Sequence, residues 1–211
     1  MLHTTRRLFA TGLTAALLAA AALAPPALAQ QPASKDPAAV KAGTYKVEPH
    51  HTQVVFSLSH FGFNDYYGFF SGASGTLTLD PAKIETAKLD VSVPVDTVFT
   101  TSPKLTAELK GGEWFDAARF PTATFASTKV TATGKDTATI EGNLTLHGVT
   151  RPVTLEARLV GAGTNPLSKA TTVGFEATGT IKRTDFGVSK YAPLVSDEVT
   201  LRITAAFELQ S

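Results

Sequence analysis

The sequence predicts an all-β fold in which an antiparallel sheet of eight strands closes into a barrel. The main observation is that apolar and polar residues alternate along each candidate strand, as they do from Lys88 to Val95. A period of two gives each strand one face for water and one for a shared interior. Parallel strands covered by helices would instead be apolar on both faces. Turn residues between the segments, such as Asp80-Pro81 and Gly134-Lys135-Asp136, support the same interpretation.

The candidate strands form nine segments, and the first two count as one bent strand, which leaves eight. Their predicted bounds are 44–48, 53–60, 69–79, 86–96, 122–132, 137–147, 152–161, 171–182 and 197–209. An eight-stranded barrel is just wide enough for its own side chains or for one small ligand. Because alternation alone does not separate a barrel from a β-sandwich, a sandwich that serves as an interaction module without a cavity stays as an alternative.

One short helix is predicted from Pro103 to Lys110. Pro103 suits the first turn of a helix, and Gly111-Gly112 suits the position after its end. The next segment, 113–121, is the densest aromatic part of the chain. Helix and aromatic segment together are predicted to close one end of the barrel, with a satellite hydrophobic cluster as the alternative.

Residues 1–29 are predicted to be a secretory signal peptide. Arg6 and Arg7 precede an apolar run that is too short and too rich in Ala for a membrane span, and Ala27-Leu28-Ala29 offers small residues for cleavage. The paired arginines also fit a twin-arginine signal, with the general export route as the alternative. Residues 30–43 hold prolines and alanines without periodicity and are predicted to be a flexible leader. Residues 44–211 form one domain.

Composition excludes some partners. Removal of residues 1–29 leaves 17 of the 19 basic residues and all 18 acidic residues, a net charge of −1. This near-neutral balance gives no electrostatic footprint for nucleic acid. The chain has no cysteine, and a domain of this size can bury most of its apolar surface without disulfides. We therefore expect a soluble protein of the bacterial periplasm.

Few residues suggest chemistry. The chain has no serine elbow, no paired-histidine helix motif and no phosphate-binding glycine loop, so we predict neither catalysis nor a cofactor. His51 and His60 lack the close spacing of metal ligands, and no metal site is predicted. Arg183 and Asp185 either pair across a turn or meet an anionic head group at the barrel mouth. An enzyme that acts on a lipid through these four residues stays as an alternative.

Inward-facing apolar positions are predicted to line the interior, unless they simply fill an ordinary core. The predicted lining consists of Phe56, Leu58, Phe69, Leu89, Val91, Val93, Phe125, Leu144, Leu146, Phe175 and Ile203. The predicted mouth or gate consists of His51, His60, Phe63, Tyr66, Trp114, Phe115, Arg183 and Asp185. Small residues on the inner faces, namely Gly142, Ala177, Gly179 and Ala205, leave volume that a packed core would fill, which favours a cavity.

Four blocks of sequence, in this order, carry a family resemblance: 48–52 with 55–62, 114–116 with 120–125, 142–153, and 181–188. With them the chain resembles the YceI-like family of secreted lipid-binding proteins from Tyr45 to Leu209. The resemblance implies a lipocalin-like barrel whose long apolar cavity holds a polyisoprenoid or a similar chain. The chain departs from the family pattern at Thr52, where a serine is usual, and at Thr106 and Glu108, where an acid and a histidine are usual.

The sequence thus predicts a non-enzymatic periplasmic carrier of a long-chain isoprenoid lipid, such as a polyprenyl phosphate or a quinone. Association costs at least ~4 kcal/mol in lost freedom, and micromolar binding requires ~8 kcal/mol more. At ~0.8 kcal/mol per buried methylene, an apolar barrel needs a ligand of about 15 carbons or more. Transient contact with a membrane or membrane proteins is also expected. Tyr66 and Tyr67 could seal against a second copy, so a homodimer stays as an alternative.

Overall fold

The computed structural model describes residues 32–211, so the predicted signal peptide lies outside the described residues. Within this range the strands are β1 (Ala33–Ser34), β2 (Gly43–His60), β3 (Asn64–Phe70), β4 (Ser74–Leu79), β5 (Lys88–Pro94), β6 (Thr122–Ala132), β7 (Thr137–Leu146), β8 (Val149–Thr164), β9 (Thr171–Lys182) and β10 (Glu198–Leu209). The helix α1 spans Pro103–Leu109, and short 3-10 helices span Pro37–Ala39, Ile84–Thr86, Val95–Thr97 and Arg183–Phe186.

Eight of these strands close into an antiparallel barrel. The hydrogen-bonded order is β2-β4-β5-β6-β7-β8-β9-β10, and β10 pairs with β2 to complete the circle. The predicted eight-stranded barrel with one short helix is therefore confirmed. The β-sandwich alternative is wrong, because the sheet closes on itself and does not split into two packed layers.

The strand β2 is long and bent, as predicted. Glu48 lies opposite Ala206 of β10, whereas Gln53 lies opposite Thr204, so residues 49–52 form a bulge against a single residue of the partner strand. Thr52 restores a missing strand contact, because its Oγ1 accepts a hydrogen bond from the Ala206 amide at 3.1 Å. Bulges tolerate proline and sharpen the bend of a strand, which suits Pro49 to this place.

The prediction of one strand over residues 69–79 is wrong. The chain forms two strands, β3 and β4, which are separated by residues 71–73. Because β2 is bent, each short strand pairs with a different half of it: β3 pairs with residues 54–60 and β4 with residues 43–46. The strand β3 lies outside the closed circle of eight strands.

The predicted flexible leader is structured in its described part. Ala33 pairs with Gly163 of β8, and Asp36 caps the following 3-10 helix by accepting a hydrogen bond from the Ala38 amide at 3.3 Å. Near the end of the leader, Val40 is buried in the core. A proline at the start of the short helix presets its backbone angle, a local signal that composition alone does not reveal.

The barrel has two different ends. We call the end with the loops 61–63, 95–121, 147–148 and 183–197 the aromatic end, and the end with the loops 35–42, 80–87, 133–136 and 165–170 the hairpin end. The helix α1 belongs to the aromatic end, where Ser102 caps it by accepting from the Leu105 amide at 3.3 Å. The predicted tight hairpin at His147-Gly148 is confirmed, with φ of 52° and 74° that suit a two-residue turn.

Candidate functional site

The barrel encloses a cavity of about 480 Å³. This volume lies within the ~300–1,000 Å³ that is typical of small-molecule sites. Two clusters of buried apolar residues bound it, one around Phe56 and Trp114 and the other around Tyr45 and Phe207. Between them the walls are inward-facing side chains of the strands, which are apolar along the middle of the barrel. The interior is therefore a hydrophobic lumen and not a filled core.

Most of the predicted lining lies on this lumen. The side chains that line it are Phe56, Leu58, Leu89, Val91, Val93, Phe125, Leu144, Leu146, Phe175 and Ile203. The same strands add neighbours that share their inward orientation, among them Val54, Ile140, Leu155, Leu201 and the small residues Ala177 and Ala205. The alternation along each strand places these residues on one wall.

Phe69 is the exception among the predicted lining residues. It lies opposite Val55 on β2 and pairs through its backbone with Phe99, and its side chain lines a cleft on the outside of the barrel. Its neighbour Phe70 faces the lumen, where its ring lies 5.6 Å from the ring of Phe56. The difference follows from the break after β3, because a shift of one residue moves a side chain to the opposite face.

Glycines shape the lumen, although not in the way the sequence predicts. A methyl group on Gly142 would overlap the ring of Phe125, and one on Gly68 would overlap the ring of Phe56. These glycines therefore give both rings room to lie against the wall instead of across the lumen. A methyl group on Gly179 would likewise lie 2.7 Å from Cδ2 of Leu155. Ala177 and Ala205 border the open volume of the lumen, whereas neighbouring side chains fill the space next to Gly142 and Gly179.

Trp114 and Phe115 close the aromatic end, as predicted for the aromatic segment. Trp114 is 7% exposed, and its Nε1 donates to Oε1 of Glu108 at 3.2 Å. Phe115 meets Phe56 and Phe70 edge to face, at ring distances of 6.4 and 5.4 Å. Edge-to-face contacts of this kind add stability beyond the area that they bury. This end of the lumen is thus an aromatic wall.

Arg183 is buried at the same end and binds backbone. Its side chain is the donor of three hydrogen bonds, to the carbonyls of Ser196 at 2.9 Å and of Val188 and Val195 at 2.7 Å each. Burial lowers the pKa of Arg183, and the charge of Asp197 partly offsets this effect. All three nitrogens of the guanidinium group are therefore engaged in fastening the loop 187–197 to the barrel.

The predicted pairing of Arg183 with Asp185 is wrong, since Asp185 is exposed and the acid near Arg183 is Asp197. The Asp197 carboxylate accepts from the amide and from the hydroxyl of Thr184, each at 2.9 Å. Burial raises the pKa of Asp197, but these hydrogen bonds and the charge of Arg183 outweigh it and hold the pKa below its usual value. No pattern in the sequence distinguishes Asp197 from other acids in the loop.

Other predicted gate residues lie away from the lumen. His51 stands on the bulge of β2 with its side chain 81% exposed, and its Nδ1 lies 2.7 Å from Oε2 of Glu48. His60 is exposed at the end of β2, and Phe63 in the next turn is 87% exposed. Tyr66 of β3 is partly buried, and its hydroxyl lies 3.5 Å from that of Thr101. The structure does not bring these four residues together with Trp114 and Phe115.

Polar residues that border the lumen are the predicted Arg183 at the aromatic end, Thr52 and Thr124 on the strands, and a group at the hairpin end that was not predicted as a site. Gly134, Lys135, Asp136 and Thr137 of the β6–β7 hairpin contribute to the wall of the cavity. The sequence marks this stretch only as a turn. In residues 32–211 no group of three or more His, Cys, Asp or Glu residues is placed to hold a metal ion. No helix in the same range is long and apolar enough to cross a membrane.

Comparison with solved structures finds the same barrel in other proteins. The YceI protein of Campylobacter jejuni is 27% identical and superposes with a TM-score of 0.65, over 72% of this chain and 90% of that one. A polyisoprenoid binding domain from Saccharophagus degradans, implicated in plant cell wall breakdown, gives a TM-score of 0.59 at 15% identity, over 81% of this chain and 100% of that one. At 15% identity, the similarity to the polyisoprenoid binding domain shows only that the two proteins share a fold.

Comparison of sequences gives the family. The YceI-like domain model matches residues 45–207. Protein YceI of Salmonella arizonae is 40% identical over 165 residues, which cover 77% of this chain and 85% of that protein. Because the domain match spans nearly the whole barrel, this chain belongs to the YceI-like family.

Proposed function

We propose that this protein binds and carries a long-chain isoprenoid lipid in the lumen of its barrel, without covalent chemistry. The single observation that carries the proposal is the lumen of about 480 Å³ with apolar walls. A polar metabolite placed there would lose its hydrogen bonds to water without replacement, at a cost of roughly 2–7 kcal/mol per group. A hydrocarbon chain instead gains ~0.8 kcal/mol for each methylene that it buries.

Among lipids, an isoprenoid chain is favoured by two likenesses. One structural neighbour with the same fold is a polyisoprenoid binding domain, although its identity to this chain is 15%. The family resemblance points to the same class of ligand. A polyprenyl phosphate and a quinone both consist largely of such a chain, and the apolar lumen is suited to either.

Binding is favoured over catalysis by the positions of the residues that could carry chemistry. His51 and His60 are exposed on the outside and at the end of β2, and Arg183 donates from each of its three side-chain nitrogens to a backbone carbonyl. Asp185 is exposed on a 3-10 helix. The alternative of an enzyme that uses these four residues would need them to meet at one substrate, and this arrangement does not support it.

We place the carrier in the periplasm, because residues 1–29 have the composition of a secretory signal peptide. Transient contact with a membrane is part of the proposal, and a homodimer stays an alternative. Exposed apolar side chains at the aromatic end offer a surface for either: Phe61, Phe63, Tyr191 and Leu194.

Native mass spectrometry of protein purified gently from its own host tests the function. We expect one protein to carry one lipid, and tandem dissociation to release a molecule with the fragments of an isoprenoid chain. A protein that arrives without lipid and takes up none from a mixed isoprenoid extract would contradict the proposal. A straight-chain lipid bound to the purified protein would support the carrier function but contradict an isoprenoid as its ligand.

A further inference from the structure

The aromatic end of the lumen is held shut by buried contacts. Trp114 and Val188 line the lumen and are 7% and 2% exposed. Arg183 fastens the loop across this end through its three hydrogen bonds to carbonyls. A second tie joins Lys190 of that loop to Glu108 at 3.4 Å, and the same glutamate accepts from the indole of Trp114. Opening this end would leave buried polar groups without partners, which is costly.

The hairpin end has the opposite character. Six residues line the lumen and are at the same time exposed to solvent, and all of them except Thr124 near the start of β6 lie at the hairpin end, which places the main surface opening of the cavity here: Pro81, Ala132, Gly134, Lys135 and Asp136. The leader crosses this end, and an ion pair links its Asp36 to Lys135 at 3.6 Å, with both side chains more than half exposed. Exposed ion pairs contribute little to stability.

We infer that the lipid enters tail first at the hairpin end, so that its chain terminus lies against Trp114 and its head group stays in water at the rim. The inference rests on the proposed function. A lipid that entered head first would place a polar or charged group in the apolar lumen, near an Arg183 whose three nitrogens each already donate to a backbone carbonyl. The gate is therefore at the end opposite to the one that the sequence suggests.

The rim also determines what the protein recognises. Among its charged side chains, Lys135 and Asp136 line the lumen, and Asp36 pairs with Lys135. Mixed and exposed charges of this kind do not favour one head-group charge over another. We expect the protein to select its ligand by the hydrocarbon chain and to tolerate different head groups.

Trp114 is the only tryptophan of the chain, so its fluorescence reports on the aromatic end alone. The probes are two palmitic acids, one with bromine on the terminal carbon and one with bromine on the carbon next to the carboxylate. Bromine quenches tryptophan at close range. With equal amounts bound, as counted by native mass spectrometry, we expect the terminal bromine to quench most of the emission and the other bromine to quench little of it.

A second variant moves the reporter to the other end. In the double variant Trp114→Phe, Lys135→Trp, the order of quenching should reverse. If both acids bind to the native protein and quench equally, or the bromine near the carboxylate quenches more, the inferred orientation is wrong while the lipid carrier stands. If neither acid binds and no other long-chain lipid does so, the carrier function fails and the orientation fails with it.

Head-group tolerance has its own measurement. Hexadecanol, palmitate and hexadecyl phosphate should bind within about fivefold of one another, because the charges at the rim are exposed. The result that would overturn this part of the inference is a preference for the phosphate of more than about tenfold that is lost in Lys135→Gln. The rim would then select the head group by its charge.

Discussion

Ala177→Phe is expected to weaken the binding of a long-chain lipid by about a thousandfold. Ala177 lies in the middle of β9, between Ala157 of β8 and Ile203 of β10, and its side chain faces the lumen. A phenyl ring at this position would take the space of about five methylenes of the ligand. At ~0.8 kcal/mol per methylene, the loss is ~4 kcal/mol, which corresponds to about three orders of magnitude in Kd.

The neighbouring position supplies a matched control. Thr178 follows Ala177 on the same strand, and its exposed side chain is on the outer face. Thr178→Phe adds a ring to the outside of the barrel and should leave the affinity unchanged. Isothermal titration with one long-chain lipid compares the two variants, and thermal unfolding verifies that both are folded. A folded Ala177→Phe protein with native affinity would mean that the lipid binds elsewhere.

Arg183→Leu is expected to lower the free energy of unfolding by roughly 3–5 kcal/mol. The substitution leaves the carbonyls of Val188, Val195 and Ser196 without their donor, and each buried acceptor left without a partner costs ~1–3 kcal/mol. For a domain of this size the loss corresponds to a fall of about 10 °C in Tm. Thermal unfolding followed by circular dichroism measures it.

Two further variants separate the geometry of Arg183 from its charge. Arg183→Lys retains the positive charge, but one ammonium group cannot reach three carbonyls that lie in different directions, so Tm should fall to an intermediate value. Asp185→Ala should change Tm little, because Asp185 is exposed. If Arg183→Leu unfolds at the native temperature, the three hydrogen bonds do not hold the aromatic end.

The regular strands could be predicted from the sequence because their physical signal is local. Along β9 and β10, apolar residues alternate with mostly polar ones, and the side chains of Phe175, Ala177 and Ile203 accordingly reach the lumen. Antiparallel neighbours joined by short turns leave few other arrangements. The closed barrel and most of its lining follow from this alternation.

For strand β3, the alternation of residues does not predict which side chains face the lumen. Its sequence has aromatic pairs, Tyr66-Tyr67 and Phe69-Phe70, on either side of Gly68, so a period of two assigns no face. The faces are decided by the register of its pairing with residues 54–60 of the bent β2, which the pattern of residues in β3 does not show. This is why Phe70, and not Phe69, lines the lumen.

The role of Arg183 was also beyond sequence reasoning. An arginine near an aspartate in a turn suggests an ion pair, yet the partners here are main-chain carbonyls, which every residue possesses. The opening of the lumen is a similar case, because Gly134-Lys135-Asp136 has the composition of any turn. Only the closed barrel shows that this turn borders the lumen while the aromatic segment closes the other end.

The most direct test of the apolar lumen is the affinity for a series of straight-chain alcohols of rising length. If burial of the chain drives binding, Kd should fall by about tenfold for every two added carbons and then become constant once the lumen is filled. An affinity that does not depend on chain length would contradict the account, because binding would then not arise from the chain inside the barrel.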